Sequence, residues 1–417
     1  MRRQLPATGL PRCSLQPGGG FVYDSTMEKP ICRWRSFLKD VLICSLGAYG
    51  GPEAHFGVFL DQMVVKRRHL EEEDLVELLA LCSVLPGPTS TQTIVAIGHK
   101  LGGPPLALLT MLVWSLPAVA IMIALSFLYQ LLGAFDVSRD VLRFIGPMAI
   151  GFIIVAAWRI GRKVVKDAET AVLMLAGALA TYWIRAPWIF PVVLVLGGVV
   201  SVARSREPDL WNRTRLSPPW GYGVAFAALA FGLLALGAAT SWWWVDLFER
   251  FYRYGYLVFG GGQVVVPLMH EELVVEHAFM SDAEFLTGYG LVQGIPGPMF
   301  SFAAYAGGLA ARGMSAWRQI VGGLLGGVGI FLPGVLLIFF VYPVWEQLKR
   351  IRAIRISLKG VNAVAAGLVA VAAVILLKAG DTTPEHALAT VATVGLLLSR
   401  KIPAPLIVLA ALLAGLL

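Results

Sequence analysis

Charged residues are scarce in this sequence. Only 14% of its 417 residues are Asp, Glu, Lys or Arg, whereas soluble domains carry about 25%, and 57% are hydrophobic. The mean hydropathy is +0.72. These values exclude a water-soluble globular domain and predict an integral membrane protein. The net charge of +8 does not indicate nucleic-acid binding, because the basic residues lie in short patches between apolar runs of about 20 residues, as membrane-flanking charges do.

Residues that commonly carry out catalysis or bind metals are also few. The six histidines include no H-E-x-x-H pair and the four cysteines include no C-x-x-C pair, so the spacing of a zinc site is missing. A nucleotide-binding G-x-x-x-x-G-K-[ST] loop is missing as well. We therefore expect no enzymatic activity, no metal or other cofactor, and no direct use of ATP.

Hydropathy divides most of the chain into membrane spans. Residues 1–30 are set apart, because the first 26 are rich in Pro, Gly and Arg and lack an apolar core, which is typical of a disordered leader, a transit-type extension or an over-called start before Met27. The rest predicts an all-α polytopic membrane protein with about 13 transmembrane helices. Their approximate limits are 35–62, 75–98, 105–130, 141–160, 168–184, 187–204, 219–243, 245–266, 285–310, 318–342, 354–376, 383–399 and 402–417.

An internal repeat organises these spans. A shift of 210 residues lays Gly50-Gly51 on Gly260-Gly261 and Pro86-Gly87-Pro88 on Pro296-Gly297-Pro298, and about fifty residues align without a gap. The predicted parts are a first repeat at 31–204, a cytoplasmic linker at 205–218 and a second repeat at 219–417. By the span count the two repeats enter the membrane from opposite sides. They are therefore predicted to be inverted repeats, an architecture typical of secondary transporters.

Basic residues in the short loops predict the orientation of the chain. Clusters at 159–166, 204–215, 349–359 and 400–401 are separated by even numbers of spans and therefore share one face, which the positive-inside rule makes cytoplasmic. The N-terminus is then predicted to be cytoplasmic and the C-terminus to be outside. The basic residues at 66–68 contradict this assignment, because the span count puts them on the opposite face.

Each Pro-Gly-Pro triplet lies near the middle of a predicted span. Its two prolines remove two backbone donors and interrupt the helix, which a membrane tolerates only where protein or a water-filled cavity covers the break. Residues 89–92 are Thr, Ser, Thr and Gln, and they begin a half-helix whose free N–H groups and dipole carry about half a positive charge. This predicts an anion site. The second triplet predicts a weaker site, because Met299 and Phe300 precede Ser301.

The predicted site combines both halves. We expect the triplets to meet near the middle of the bilayer, with Gln293 and Asn362 facing the same cavity. The predicted substrate-binding residues are Gly50, Gly51, Pro86, Gly87, Pro88, Thr89, Ser90, Thr91, Gln92, Gly260, Gly261, Gln293, Pro296, Gly297, Pro298, Ser301 and Asn362.

Three ionisable residues are predicted as proton carriers, since such groups are rare within apolar spans: Glu53, His55 and Glu271. Structural alternatives remain open for all of these residues. The triplets could be simple kinks, the hydroxyls could bond back to the preceding turn, and the ionisable residues could lie at the membrane interface.

These segments resemble the paired motifs of a known family. The segments at 50–55, 86–92, 259–262 and 293–305 are similar to those of the chromate ion transporter family, long two-domain type, and the similarity runs from about residue 35 to the end. The resemblance implies a secondary transporter that expels chromate by using ion gradients or membrane potential, in most members across a bacterial inner membrane. It implies an oxyanion and membrane lipid as partners, and it leaves a homodimer open.

Two alternative functions are kept beside chromate efflux. The first is transport of sulfate or another oxyanion, because chromate and sulfate are tetrahedral dianions of similar size that the same hydroxyl and N–H groups would bind. The second is an anion channel. A channel would need a continuous polar lining, whereas this sequence has two discrete breaks.

Overall fold

The computed structural model describes residues 34–50, 52–132, 137–208, 210–211, 217–259, 262–380 and 383–416. Every regular element in these ranges is a helix, in agreement with the predicted all-α class. The α-helices are α1 (Trp34–Gly47), α2 (Pro52–Phe59), α3 (Glu72–Val84), α4 (Thr89–Leu132), α5 (Val137–Leu142), α6 (Ile145–Val164), α7 (Ala168–Trp183), α8 (Ile189–Arg204), α9 (Trp220–Ala239), α10 (Trp243–Tyr256), α11 (Val266–His270), α12 (Asp282–Val292), α13 (Phe302–Ala310), α14 (Ala316–Val341), α15 (Trp345–Leu348), α16 (Arg352–Ala379), α17 (Pro384–Ser399) and α18 (Ala404–Ala414). The predicted leader lies outside the described residues.

Five helical stretches are long and apolar enough to cross a membrane. They are Thr89–Leu128, Asp140–Val164, Trp220–Ala239, Ala316–Leu348 and Arg352–Ala379. Several shorter apolar helices, among them α8 and α18, accompany them. The chain is therefore a polytopic membrane protein, as its composition predicts.

Four of the 13 predicted spans are not single helices. They are the spans predicted at 35–62, 75–98, 245–266 and 285–310, and each is divided into two shorter helical segments. The second segment of span 75–98 is the first part of α4, which non-helical backbone at Gly102 and Gly103 separates from the rest of that helix. The breaks have local causes. Gly50, Gly87 and Gly297 have φ angles of 82°, 131° and 109°, a region that favours glycine, and the prolines beside them lack an N–H group.

The two segments of each broken span fold back on one another. In the first, Asp40 on α1 accepts a 2.9 Å hydrogen bond from Gln62, which lies in a π-helix (Leu60–Lys66) that continues α2. In the second, Lys100 forms an ion pair with Asp74 across the triplet. Ends that meet cannot lie on opposite faces of a hydrocarbon core about 30 Å thick. These segments are therefore helical hairpins, and the prediction of about 13 transmembrane helices is not confirmed.

The second half closes two hairpins in the same way. Glu272 pairs with Arg253 across the break before α11, and Glu284 pairs with Arg312 across the second triplet. Nine predicted spans remain, and each of these contains one helix. Hydropathy could not reveal the difference, because two short helices in succession contribute as much apolar sequence as one long crossing helix.

Backbone features recur at the 210-residue shift. A π-helix at Glu271–Glu276 follows α11, as Leu60–Lys66 follows α2. Each π-helix is followed by a residue with left-handed backbone, Arg68 with φ 50° in the first half and Ala278 with φ 48° in the second. Such backbone is uncommon outside glycine. The repeat therefore extends beyond the glycine and proline motifs to the π-helices and to Arg68 and Ala278, which differ in residue type.

The core consists of two groups of packed helices. In one group, α14 packs against α4, α10 and α13, and in the other, α16 packs against α6, α7 and α8. Small residues permit the closest approach: a Cβ atom on Gly360 of α16 would lie 1.9 Å from the carbonyl oxygen of Gly197 on α8. The first group surrounds the breaks that carry the predicted site.

Candidate functional site

Each triplet is hydrogen bonded to the other half of the chain. The N–H of Gly87 donates to the carbonyl of Val258 at 2.8 Å, and the N–H of Gly297 donates to the carbonyl of Ala48 at 2.9 Å. Both donors and both acceptors are related by the 210-residue shift. Val258 and Ala48 lie two residues before the glycine pairs at 260–261 and 50–51. The two bonds are therefore equivalent, and each joins the triplet of one half to the glycine break of the other.

The first triplet turns directly into α4. The first bond of this helix runs from the Gln92 N–H to the Pro88 carbonyl at 2.9 Å, which leaves the three preceding N–H groups without a helical acceptor. The side chain of Gln92 returns over the triplet, where its Nε2 donates to the Pro86 carbonyl at 2.8 Å. Free donors and the positive end of the helix dipole therefore point at the break.

The hydroxyls that begin α4 are buried and have specific partners. Ser90 Oγ lies 3.1 Å from Nδ1 of His55, and Thr91 Oγ1 accepts a 3.1 Å hydrogen bond from Nε1 of Trp114. Thr93, one turn further on, bonds back to the Thr89 carbonyl at 2.8 Å, as a helical threonine commonly does. Ser90 and Thr91 therefore form a polar cluster with side chains of two other segments, whereas the hydroxyl of Thr93 donates within its own helix.

Two residues of this cluster were missed by the sequence reasoning, Trp114 and Ser45. Ser45 Oγ donates to the Trp114 carbonyl at 2.7 Å, and it lies 3.6 Å from the position that a Cβ of Gly297 would occupy. Trp114 thus lies close to both triplets. The only sequence signal was its place immediately before Ser115-Leu116-Pro117, which aligns with Phe331-Leu332-Pro333 of the second half after a six-residue insertion.

The second triplet leads into a different arrangement. Ser301 is fully buried and its Oγ has no hydrogen-bond partner among the described residues. Its N–H is already used, because it donates to the Pro298 carbonyl at 2.9 Å in a 3₁₀ turn. Nε2 of Gln293 and Oε1 of Gln92 are likewise buried without a partner in the part of the chain that is described. Three predicted site residues thus hold polar atoms that the protein itself does not satisfy, which is uncommon for buried groups.

The other predicted site residues are less closely grouped. His55 and Glu271 are buried, on α2 and at the start of the second π-helix. Asn362 is half-buried on α16, which packs against the segment at 262–270. Glu53 lies in the first turn of α2, and its side chain is outside the described part of the structure. Gly51, Gly260 and Gly261 also fall outside the described residues, so their predicted role stays a prediction.

Comparison with known proteins gives a family. A family model described as chromate transporter matches the chain twice, at residues 35–202 and 245–416. The chain belongs to the chromate transporter family. The two matches begin at residues 35 and 245, which are separated by the same 210-residue shift that superposes the triplets. The predicted resemblance to the long two-domain type is confirmed.

Three relatives of this chromate transporter family member are similar over most of their length. A chromate transport protein of Cupriavidus metallidurans is 26% identical over 97% of this chain and 98% of its own. A probable chromate transport protein of Synechococcus elongatus is 26% identical over 89% of this chain and 92% of its own. A chromate transport protein of Pseudomonas aeruginosa is 27% identical over 80% of this chain and 77% of its own. No solved structure matches the chain.

This family member also contains a buried carboxylate that the sequence reasoning missed. Asp40 on α1 is 1% exposed, accepts a hydrogen bond from Gln62 at 2.9 Å and forms an ion pair with Nε of Arg67 at 3.0 Å. Nε2 of His69 lies 2.8 Å from its other oxygen. Arg67 is half exposed. The charge of Asp40 is therefore balanced by groups that remain partly in contact with solvent.

The equivalent place in the second half holds a second buried carboxylate, Glu272. It is fully buried, and it accepts hydrogen bonds from Tyr254 Oη at 2.8 Å and from Nη2 of Arg253 at 3.1 Å. Nη1 of Arg250 lies 3.5 Å away. The 210-residue shift pairs Asp40 with Arg250 and Gln62 with Glu272. In both halves a helix is therefore joined to the following π-helix, but the carboxylate lies on the helix in the first half and on the π-helix in the second. An alignment of the repeats would reveal this exchange, although not the contact itself.

Proposed function

We propose that this protein is a secondary active transporter of a tetrahedral oxyanion that exports chromate by alternating access. The observation that supports this most directly is the pair of equivalent hydrogen bonds between the halves, Gly87 to Val258 and Gly297 to Ala48. Each bond joins a triplet of one half to a chain segment of the other half, and buried polar atoms without partners among the described residues lie beside the triplets in sequence. A membrane tolerates such backbone only around a protected site. Relatives named as chromate transport proteins make chromate the first substrate to test.

The oxyanion is proposed to bind at the start of α4. Three free N–H groups, the hydroxyls of Ser90 and Thr91 and the helix dipole offer donors to an anion at one point. The second tip offers less, because the N–H of Ser301 is already bonded within its 3₁₀ turn. Because the first tip offers more donors than the second, we expect one anion, bound mainly by the first half. Glu53, His55 and Glu271 remain the proposed proton carriers.

The halves are proposed to be inverted, with their hairpins entering from opposite faces. Lys349 pairs with Glu77 on α3 at 2.8 Å, and Lys359 pairs with Asp167 at 2.7 Å. These contacts support one face for the open ends of the first-half hairpins and for the basic loops around α6, α7 and α16. Residues 66–68 then join the other basic clusters. The conflict in the predicted orientation disappears, with a cytoplasmic N-terminus and an external C-terminus.

The hairpins of the second half are proposed to open on the other face. There, Arg143 at the start of α6 pairs with Glu385 at the start of α17, and Lys378 donates to Tyr182 at the end of α7. These pairs lie at the helix ends opposite to the basic loops. With the first-half hairpins on one face and the second-half hairpins on the other, all four tips reach the middle of the membrane. If the two halves exchanged their conformations, the site would open first to one side of the membrane and then to the other.

Sulfate transport is the second candidate that the site supports, because hydroxyl and N–H donors fit either dianion. An anion channel is less well supported. The polar groups lie at discrete breaks surrounded by buried apolar side chains, and a channel needs a continuous polar lining. The proposal also makes this chain a transporter and not an enzyme, in line with the names of its relatives.

The proposal is tested by flux measurements on purified protein in proteoliposomes. We expect radiolabelled chromate uptake that saturates and shows counterflow when unlabelled chromate is trapped inside. Flux that stays linear with concentration and lacks counterflow would identify a channel. Competition by sulfate ranks the two substrates, and imposed pH and voltage gradients identify the driving force. Absence of any oxyanion flux from folded protein would overturn the proposal.

A further inference from the structure

We propose that Trp114 is a positioning residue that makes the Thr91 hydroxyl a directed hydrogen-bond donor toward the bound oxyanion. This inference rests on the proposed anion site at the start of α4 and adds a residue that acts through Thr91. An indole N–H can only donate, so the 3.1 Å contact between Trp114 Nε1 and Thr91 Oγ1 has one possible direction. The oxygen of Thr91 is the acceptor in this bond.

The consequence for Thr91 follows from the chemistry of a hydroxyl. A hydroxyl has one proton and two acceptor positions, and its proton rotates to suit the surroundings. Because Trp114 occupies an acceptor position, the proton of Thr91 must point elsewhere, which leaves it available for an oxyanion. The bond between His55 and Ser90 lacks this property, since an imidazole nitrogen either donates or accepts according to its tautomer.

Trp114 is itself firmly held. It is fully buried, and its carbonyl accepts a 2.7 Å bond from Ser45. Its ring meets those of His55 and Phe59 edge to face, with centroids 5.5 and 5.3 Å away. A donor fixed in this way does not have to be ordered when the anion arrives, so the orientation of Thr91 is prepared in advance.

The second half lacks an equivalent hydrogen bond from an indole to a hydroxyl. Thr91 corresponds to Ser301 at the 210-residue shift, and Trp114 corresponds to Ile330 after the six-residue insertion. Ile330 is fully buried and offers no donor, and Oγ of Ser301 has no partner among the described residues. Gly255, the counterpart of Ser45, supports this correspondence: a Cβ on it would lie 2.4 Å from the Ile330 carbonyl.

The experiment is a double-mutant cycle on chromate uptake in proteoliposomes, with Trp114→Phe, Thr91→Val and both together. Trp114→Phe keeps a buried aromatic ring and removes the N–H together with the rest of the second indole ring. We expect it to raise KM about fivefold, the size of one neutral hydrogen bond, with maximal rate retained. In the Thr91→Val background it should have no further effect. Trp158→Phe is the matched control, because Trp158 is exposed on α6 and should leave KM unchanged.

The outcomes separate this inference from the proposed site. If Thr91→Val leaves KM unchanged, the proposed site at α4 is wrong. If Thr91→Val raises KM and Trp114→Phe does not, or if their effects are additive, only the positioning role is wrong. If Trp114→Phe fails to fold, the indole ¹⁵N–¹H resonance of Trp114 replaces it. That resonance should shift when chromate binds to the wild-type protein and should stay unchanged in Thr91→Val, and a shift in both would refute the inference.

Discussion

Around the first triplet the tip is polar, whereas around the second triplet the equivalent tip is mostly apolar, with Ser301 as an exception. His55, Ser90 and Trp114 of the first half correspond to Val265, Phe300 and Ile330 of the second. The last three line a small apolar cavity of about 10 Å³. The backbone around the tips is nevertheless alike, with positive φ at Gly87 and Gly297 and equivalent hydrogen bonds between the halves.

This difference separates two requirements on the sequence. The breaks, the π-helices and the bonds between halves are needed twice, because each half must turn its hairpins inside the membrane without unpaired backbone. If one anion binds at the start of α4, as we propose, donors for an anion are needed once. A single anion bound at one tip leaves the other tip free to pack with apolar side chains, which stabilise the fold and cost no desolvation of polar groups.

The largest expected effect concerns the buried carboxylates. It tests whether the buried carboxylate of the second half contributes more to folding stability than that of the first half. Glu272→Gln should destabilise the protein by about 3–5 kcal/mol, because it neutralises a fully buried carboxylate, which removes the charged partner of Arg250 and leaves Arg253 with Glu249 alone. Thermal unfolding in detergent, followed by loss of the folded peak in size-exclusion chromatography, measures the effect.

Asp40→Asn is the matched control in the first half. Loss of the Asp40 charge should lower the free energy of unfolding by clearly less than loss of the Glu272 charge does. Arg67 is half exposed and can be hydrated once its partner is neutral. Equal destabilisation by the two variants would show that solvent does not reach Arg67, and it would remove this contrast between the halves.

The second prediction addresses the anion site directly. In Ser90→Ala/Thr91→Val the side-chain volume is nearly kept while two hydroxyls are lost. Each bond to a charged partner is worth about 1.5–3 kcal/mol, so chromate affinity should fall at least tenfold even if water replaces one of them. Concentration-dependent uptake in proteoliposomes gives the change in KM. Unchanged affinity in a normally folded variant would place the anion elsewhere.

The breaks themselves could be predicted from the sequence because their causes are local. A proline lacks its N–H and a glycine permits positive φ wherever the rest of the chain lies, so Gly87 and Gly297 could be recognised from their neighbours alone. The 210-residue shift then paired the motifs. The all-α membrane class and the family followed from the same local features.

The remaining features depend on contacts that hydropathy does not record. The fold-back of the hairpins is visible only through pairs such as Asp74 with Lys100, which lie on either side of a triplet. Trp114 lies 23 residues from Thr91, and Asp40 lies 22 residues from Gln62. Tertiary packing decides each of these, so the sequence indicated where the site begins and not which side chains complete it.

The third prediction compares the two triplet glycines. Alanine at Gly87 or at Gly297 should each cost about 1–3 kcal/mol, because both positions have a backbone conformation that alanine rarely adopts. Only Gly87→Ala should also raise KM for chromate. Its Cβ would lie 2.5 Å from Nε2 of Gln92, which must then leave the Pro86 carbonyl, whereas a Cβ on Gly297 meets Ala118. Thermal unfolding and uptake kinetics on both variants measure the two effects, and a similar rise in KM in Gly297→Ala would contradict the assignment of the site to the first half.

The smallest effect is expected at Ser301. Its hydroxyl is buried without a partner among the described residues, so Ser301→Ala removes an unsatisfied polar atom and should leave thermal stability unchanged or slightly higher. Chromate KM should change less than twofold, because the hydroxyl lies at the tip that offers fewer donors and contributes less than one full hydrogen bond to the anion. Uptake kinetics beside Thr91→Val give the comparison at the two equivalent positions. If Ser301→Ala abolished uptake while Thr91→Val did not, the anion would be bound by the second half, and the polar tip of the first half would have to serve another purpose.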